Sequence, residues 1–332
     1  MIRLRPHQQD ALELLRHNSK GIILVPTGGG KTLIAITDAQ QQLESLWNWD
    51  NTRNQFIEPK TIVVVAPRIL LAEQLSSEFL EHITNAKVLH VHSGETHHRS
   101  TTDSTEIYDW AVDNWKHHKI IFTTYHSLNK VQDANIRGLA VDTIYFDEAH
   151  NSIQKHFFPA TEHFSNDAKR CYFFTATPKH SLAATKPGMN WSVYGQVLCN
   201  VPAPELVEQG YILPPKVVVK QLPMIKGRKV MFADDCDNLI ETIDDNSIDK
   251  TLICARTTKQ IINLLTHSDF CAELYQRGYS WMTITSKTGA IIDGKKVNRD
   301  VFFDTLNTWG KDKTKKFVVL HHSILSEGIN VS

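Results

Sequence analysis

Val25-Pro26-Thr27-Gly28-Gly29-Gly30-Lys31-Thr32 follows the apolar run Gly21 to Val25 and leads into Leu33 to Gln42, a segment compatible with a helix. Strand, glycine-rich turn, lysine and hydroxyl, then helix is the P-loop arrangement. Glycines let backbone N–H groups curl around a phosphate, and the helix turns the positive end of its dipole toward the anion. In this pattern Lys31 reaches the β and γ oxygens and Thr32 ligates magnesium. Val25 stands where the general pattern has its first glycine, so the match rests on the intact core Pro26 to Thr32. The alternative is a glycine turn that only ends a strand and starts a helix.

A second motif weighs against that alternative. Asp147-Glu148-Ala149-His150 ends the apolar run Thr143-Ile144-Tyr145-Phe146. Phosphoryl transfer at a P-loop needs one carboxylate for the magnesium shell and a second polar group to orient or deprotonate water. Asp147 and Glu148 supply both at a strand end, where open α/β sheets bind ligands.

The surrounding chain reads as a doubly wound α/β fold. Apolar runs rich in β-branched residues recur at Gly21 to Val25, Thr61 to Ala66, Lys87 to Val91, Lys119 to Thr123, Asp142 to Phe146 and Arg170 to Phe174. Continuous rather than alternating hydrophobicity marks strands covered on both faces, as in a parallel sheet. Leu71, Leu75 and Phe79 repeat at helical spacing between two of them. Pro202, Pro204, Pro214 and Pro215 suit a connector, which places a domain boundary near Tyr211 and predicts domains over 1–210 and 211–332. The second domain repeats the style with strands expected at Lys216 to Lys220, Thr251 to Ala255, Trp281 to Thr285 and Phe317 to Leu320, and a helix carrying Ile261, Ile262, Leu264 and Leu265.

Bulk properties agree with such a protein. The 332 residues suit two units of about 150 residues each. Lys plus Arg and Asp plus Glu both number 36, so no global field announces a polyanionic partner and any basic surface is local. Cys171, Cys199, Cys236, Cys254 and Cys271 are odd in number and form no C-x-x-C pair, which argues against a disulfide framework or zinc ribbon and for a reducing, cytoplasmic setting. No apolar run approaches the roughly 20 residues that cross a bilayer.

Taken together, the P-loop and Asp147-Glu148-Ala149-His150 resemble the superfamily 2 helicases, with further motifs in collinear order. Leu4-Arg5-Pro6-His7-Gln8 resembles the segment ahead of the first strand in repair, recombination and restriction translocases, where the glutamine reads adenine. Ala66-Pro67-Arg68 resembles motif Ia, Thr123-Thr124-Tyr125-His126 motif Ib, Thr175-Ala176-Thr177-Pro178 motif III, and Ile253-Cys254-Ala255-Arg256-Thr257 loosely motif IV. Ser326-Glu327-Gly328-Ile329-Asn330 resembles motif V, with Asn330 where many relatives carry Asp.

The resemblance implies two RecA-like domains, the second incomplete, with ATP and magnesium as cofactors. It makes Lys31, Asp147, Glu148 and His150 the catalytic set, with Thr32 and Asp147 on the magnesium. Arg5, Gln8, Thr27, Gly28, Gly29, Gly30, Lys31, Thr32 and Gly328 would hold the nucleotide. Pro67, Arg68, Thr124, Tyr125, Thr175, Thr177 and Arg256 would meet nucleic acid, DNA rather than RNA given the Leu4 to Gln8 opening, with no obligate protein partner evident. The family's motif VI arginine would lie beyond Ser332, so the expectation is slow turnover. The competing reading is a truncated module that binds ATP and nucleic acid without cycling.

Two lesser readings complete the picture. Glu58-Pro59-Lys60 has the form of a nuclease E-x-K element, but no acidic partner precedes it on a recognisable strand pair. His90, His92, His97 and His98 flank a loop rich in Ser, Thr and His. A metal site there would need ligands at defined spacing and a Cys or carboxylate partner. The spacing does not single out such a set, and a solvated loop is expected.

Overall fold

The computed structural model describes residues 3–44, 59–94, 96–214, 217, 219, 232–285 and 287–322. Contacts divide the chain into two compact units, Met1–Lys216 and Val217–Ser332.

The first unit runs α1 (Pro6–His17), β1 (Lys20–Leu24), α2 (Lys31–Glu44), β2 (Thr61–Ala66), α3 (Ile69–Leu80), β3 (Ala86–Val91), α4 (Ser104–Asp113), β4 (His118–Thr124), α5 (Leu128–Ile136), β5 (Thr143–Phe146), α6 (Phe158–Asp167), β6 (Arg170–Thr175), β7 (Val197–Asn200) and α7 (Ala203–Glu208). Among the described residues its strands form one seven-stranded sheet of order β3-β4-β2-β5-β6-β1-β7, and every pairing is parallel.

Continuous apolar runs are explained by the two faces of this sheet. Ile62, Val64 and Ala66 of β2 enter one core together with Leu71, Leu75 and Phe79 of α3. The intervening Val63 and Val65 enter the other, with Leu128 and Val131 of α5. A strand that alternates between two apolar layers needs an apolar residue at every position.

The sheet order decides what meets at the C-terminal edge. β5, β6 and β1 lie side by side, so the segments after Phe146, Thr175 and Leu24 emerge together although they are far apart in sequence. A buried polar cluster locks α2 to this part of the sheet. Asp38 accepts from the Tyr145 hydroxyl at 2.5 Å and from Arg170 Nη2 at 2.9 Å, and Gln42 accepts from Thr143 at 2.6 Å.

The structure adds to the expected elements. β7 is a seventh strand that the sequence reading lacks, because its half-exposed Val-Leu-Cys-Asn run carries little apolar signal. Pro202 and Pro204 begin α7 instead of a connector: Pro202 is its N-cap, and Pro is well tolerated in a first helical turn. Tyr211 and Ile212, read from the prolines as the start of the second domain, pack against the first unit's core.

The second unit runs α8 (Phe232–Asp245), β8 (Lys250–Cys254), α9 (Thr258–His267), α10 (Phe270–Gln276), β9 (Ser280–Thr285), β10 (Gly289–Ile292), β11 (Lys295–Val297), α11 (Arg299–Lys311) and β12 (Phe317–His321). Its sheet, β11-β10-β9-β12-β8, is mixed, not purely parallel. β8, β12 and β9 pair in parallel, while β10 and β11 add an antiparallel hairpin. Asp293 and Gly294 form its two-residue turn, with φ of 44° and 79°, the double positive φ that Asp-Gly favours. The strand expected at Lys216 to Lys220 lies largely outside the described residues, as does the motif V stretch with Gly328.

Candidate nucleotide site

The glycine loop Gly28 to Gly30, the candidate phosphate loop, is built from both sides. Gly28 and Gly30 have φ of 78° and 85°, a backbone conformation that side-chain-bearing residues rarely adopt. A Cβ on Gly30 would lie 2.2 Å from Gln8 Nε2, so glycine is also needed for close approach to α1. Three side chains at the start of α1 grip three consecutive loop carbonyls. Arg5 Nη1 donates to Gly28 O at 3.2 Å, His7 Nε2 to Gly29 O at 2.8 Å, and Gln8 Nε2 to Gly30 O at 3.2 Å. The C=O and N–H of a trans peptide point in opposite directions. Anchoring the Gly29 and Gly30 carbonyls on α1 therefore turns the N–H groups of Gly30 and Lys31 away from α1.

Gln8 is buried, and its Oε1 also accepts from Arg5 N at 2.8 Å. In this state both ends of its amide serve the protein, and it acts as a brace of the loop. His7, buried at 5% exposure, is a positioning residue that the motif reading passed over, because a histidine beside a conspicuous glutamine gives no local sign of a loop contact. The Arg5 guanidinium lies 4.7 Å over the Tyr211 ring.

Opposite the loop, Lys31 Nζ stands 3.7 Å from Glu148 Oε1 and 3.4 Å from Val25 O. Glu148 has φ 44° and ψ 52°, left-handed for a residue with a side chain, and the short 3₁₀ turn Ala149–Asn151 holds it there through Asn151 N to Glu148 O at 3.0 Å. Such locally strained backbone concentrates at functional sites. Glu148 Oε2 lies 3.4 Å from His150 Nδ1. The same nitrogen meets Thr175 Oγ1 at 3.0 Å, and Thr175 Oγ1 accepts from Thr177 N at 3.2 Å. A contact chain thus runs Lys31, Glu148, His150, Thr175, Thr177, linking the ends of β1, β5 and β6.

Asp147 is half-buried, and its carboxyl is pushed up to about 7 by desolvation first and the neighbouring Glu148 second, against the pull of Lys31. A carboxyl that pays this much to ionise favours a cation beside it. Its backbone is fixed by Asp147 N to Val65 O at 2.8 Å and by the Tyr125 hydroxyl donating to Asp147 O at 2.8 Å.

The residues expected at nucleic acid divide into two groups. Pro67, Thr124, Tyr125 and Thr175 are buried, and Tyr125 and Thr175 brace the acidic loop from within. Arg68 is half-buried at the N-cap of α3, and Thr177 and Arg256 are exposed. Arg256 sits just beyond β8 in the second unit. Thr27 is exposed on the loop and Thr32 half-buried at the start of α2. Of the Glu58-Pro59-Lys60 tripeptide, Glu58 lies outside the described residues.

A seven-stranded parallel sheet with a glycine loop after β1, an acidic pair after β5 and a hydroxyl pair after β6 defines a RecA-like helicase domain. Comparison with known proteins agrees. Residues 1–180 match the family described as type III restriction enzyme, res subunit, and the chain belongs to that family within the superfamily 2 helicases. Among solved structures, the chain is similar to the ATP-dependent type ISP restriction-modification enzyme LlaBIII bound to DNA, at TM-score 0.72 and 17% identity over 99% of this chain and 25% of that one. A nuclease-deletion mutant of the type ISP enzyme LlaGI with a DNA substrate mimic gives TM-score 0.52 and 20% identity over 74% of this chain and 23% of that one. Mss116p bound to single-stranded RNA and AMP-PNP gives TM-score 0.52 and 16% identity over 96% of this chain and 60% of that one. The chain spans about a quarter of the length of the two type ISP enzymes. No curated protein sequence matches it. No helix among the described residues is long and apolar enough to cross a membrane.

Proposed function

We propose that this chain carries the ATP-hydrolysing motor of a nucleic-acid translocase or helicase, acting on DNA in preference to RNA. The observation that carries the reading is the contact chain from Lys31 through Glu148 and His150 to Thr175 and Thr177. It gives a charge change at the phosphate loop a physical route to the exposed Thr177. The DNA preference rests on the Leu4 to Gln8 opening and on two DNA-bound restriction enzymes among the similar folds.

The residues fit magnesium-ATP. Gly28 and Gly30 form the cradle and Lys31 is the cation within it, while Thr32 and the carboxyl of Asp147 would hold the metal. When bound, the metal neutralises phosphate charge. Glu148 is the group placed to take a proton from water, and His150 relays its position to Thr175. Arg68 and Thr177 offer contacts to a phosphate backbone, so affinity for nucleic acid is expected to fall steeply with salt and little with sequence.

The reading is tested by ATP hydrolysis with single-stranded DNA, duplex DNA, RNA and no nucleic acid. Stimulation strongest with DNA is expected. ATP turnover indifferent to every nucleic acid would remove the motor reading, and stimulation by RNA alone would reverse the DNA preference.

Two further outcomes follow from the geometry. His7→Ala removes one carbonyl anchor worth about 1 kcal/mol. Nucleotide affinity measured by titration should fall about fivefold with little change in melting temperature. The second concerns pH. Asp147 is held near 7 against an ordinary value of 3.8, so it keeps its proton in the folded state while the unfolded chain loses its own. Its contribution to stability therefore declines as pH rises from about 4 and is lost above about 7. A divalent ion binds the ionised form. The gain in melting temperature from magnesium plus a non-hydrolysable nucleotide should be larger at pH 8 than at pH 6 and smaller in Asp147→Asn; a gain independent of pH would remove Asp147 from the metal.

A further inference from the structure

At the edge of the first sheet, away from the nucleotide loop, three side chains converge that no part of the motor reading uses. His90 lies on β3 and His92 just past its end, two residues apart and so on one face of the extended chain. Both are buried. Glu73 reaches them from α3. Its Oε1 lies 3.1 Å from His90 Nδ1 and 3.1 Å from His92 Nε2, and the two ring nitrogens are 3.0 Å apart. The three atoms form a nearly equilateral triangle.

Hydrogen bonding leaves this triangle short of positive charge. Gly94 N donates to His92 Nδ1 at 3.2 Å, so a neutral His92 carries its proton on Nε2. That proton is shared with His90 Nδ1 along the 3.0 Å contact. Glu73 Oε1, shut off from solvent, faces the same two ring nitrogens. The outer atoms are tied down. Thr96 Oγ1 donates to Glu73 Oε2 at 3.0 Å, and Ser76 Oγ meets His90 Nε2 at 3.0 Å. The ligand atoms are thus fixed in orientation by neighbours, as metal-binding imidazoles and carboxylates are.

We propose that Glu73, His90 and His92 form a binding site for a divalent transition-metal ion of the zinc class, separate from the magnesium of the nucleotide loop. Two imidazoles and one carboxylate are a common donor set for zinc, with metal–ligand distances of about 2.0–2.2 Å. An ion at that distance from three atoms spaced 3.0–3.1 Å sits roughly 1 Å out of their plane, with a fourth position for water or another donor. Binding needs the free imidazole lone pairs. The ion takes the Nε2 lone pair of His92, so the ring proton moves to Nδ1 and the bond from Gly94 is given up. In return the metal clamps the segment that follows β3 onto α3, the helix that begins beside Arg68. His90 is also bonded along that segment through His90 N to Arg99 O at 2.9 Å and Thr101 N to His90 O at 3.0 Å.

The full chain, stripped with a chelator, would be titrated with zinc chloride against a chromophoric competitor. One tightly bound zinc per chain is expected, retained in Asp147→Asn, which disables the nucleotide-loop metal, and in His97→Ala, whose exposed ring lies outside the triangle. His92→Ala and Glu73→Gln should each weaken it by more than about 10- to 100-fold, the loss typical of outer partners alone. No tight zinc in the wild type, or zinc unaffected by both ligand variants, overturns the proposal. Should the ligand variants fail to fold, anomalous scattering at the zinc edge from wild-type crystals decides it. A peak bounded by Glu73, His90 and His92 supports the site, and a peak only elsewhere, or none, overturns it.

Discussion

Replacing Lys31 by alanine is expected to weaken magnesium-nucleotide binding on the order of a hundredfold while the fold survives. Lys31 is the cation at the phosphate loop, buried to 8% exposure and 3.7 Å from Glu148. Charge-assisted hydrogen bonds contribute about 1.5–3 kcal/mol each. Losing contact with two phosphate oxygens therefore costs about 3 kcal/mol, and each 1.4 kcal/mol is tenfold in affinity. A second consequence is specific to this site. Lys31 opposes the upward push on the Asp147 carboxyl, so its removal should raise that carboxyl further and shift magnesium-dependent stabilisation to still higher pH. Isothermal titration with a non-hydrolysable nucleotide at two pH values measures both effects. Unchanged affinity would remove the P-loop assignment, and an unchanged pH dependence would remove the coupling to Asp147.

Glu148→Gln is expected to lower ATP turnover by about 10²–10⁴-fold, the range for loss of a general base, while nucleotide affinity stays within a few-fold of wild type. An amide can still hold a water by accepting its hydrogen bond, but it cannot take the proton. The left-handed backbone at Glu148, φ 44°, is set by the 3₁₀ turn and not by the carboxylate, so glutamine should keep the geometry. Single-turnover hydrolysis beside equilibrium binding separates the two effects. Turnover within about threefold of wild type would reassign the base, with His150 next in line through its contact with Glu148.

These two predictions rest on residues that could be named from the chain itself, and the reason is local. The phosphate loop is one continuous strand, turn and helix, and Asp147 and Glu148 are adjacent at a strand end. Interactions between neighbours in sequence leave their mark in a short window. The β10–β11 hairpin carries one local mark, the Asp293-Gly294 turn signal, but its short, half-exposed strands give too weak an apolar pattern to read. β7 escaped for the same reason.

What depends on distant segments was not legible. The sequence by itself determined a parallel α/β sheet, because unbroken apolar runs such as Ile62 to Ala66 have to be covered on both faces. It also placed a glycine loop after β1 and an acidic pair after β5. Only the tertiary structure decided the strand order that sets β6 between β5 and β1 and so joins His150 to Thr175. Only there does His7 anchor a loop carbonyl, and only there are Thr124 and Tyr125 seen to be buried. The histidines around residue 90 are the sharpest case. Nothing in the local sequence points to Glu73, which lies seventeen residues before His90, and a solvated loop is the expectation it supports. Packing of α3 against the sheet brings Glu73 within 3.1 Å of both rings. Sequence patterns record the period of an element and the chemistry of its neighbours, whereas a side-chain cluster drawn from a helix and a strand exists only once the two have packed.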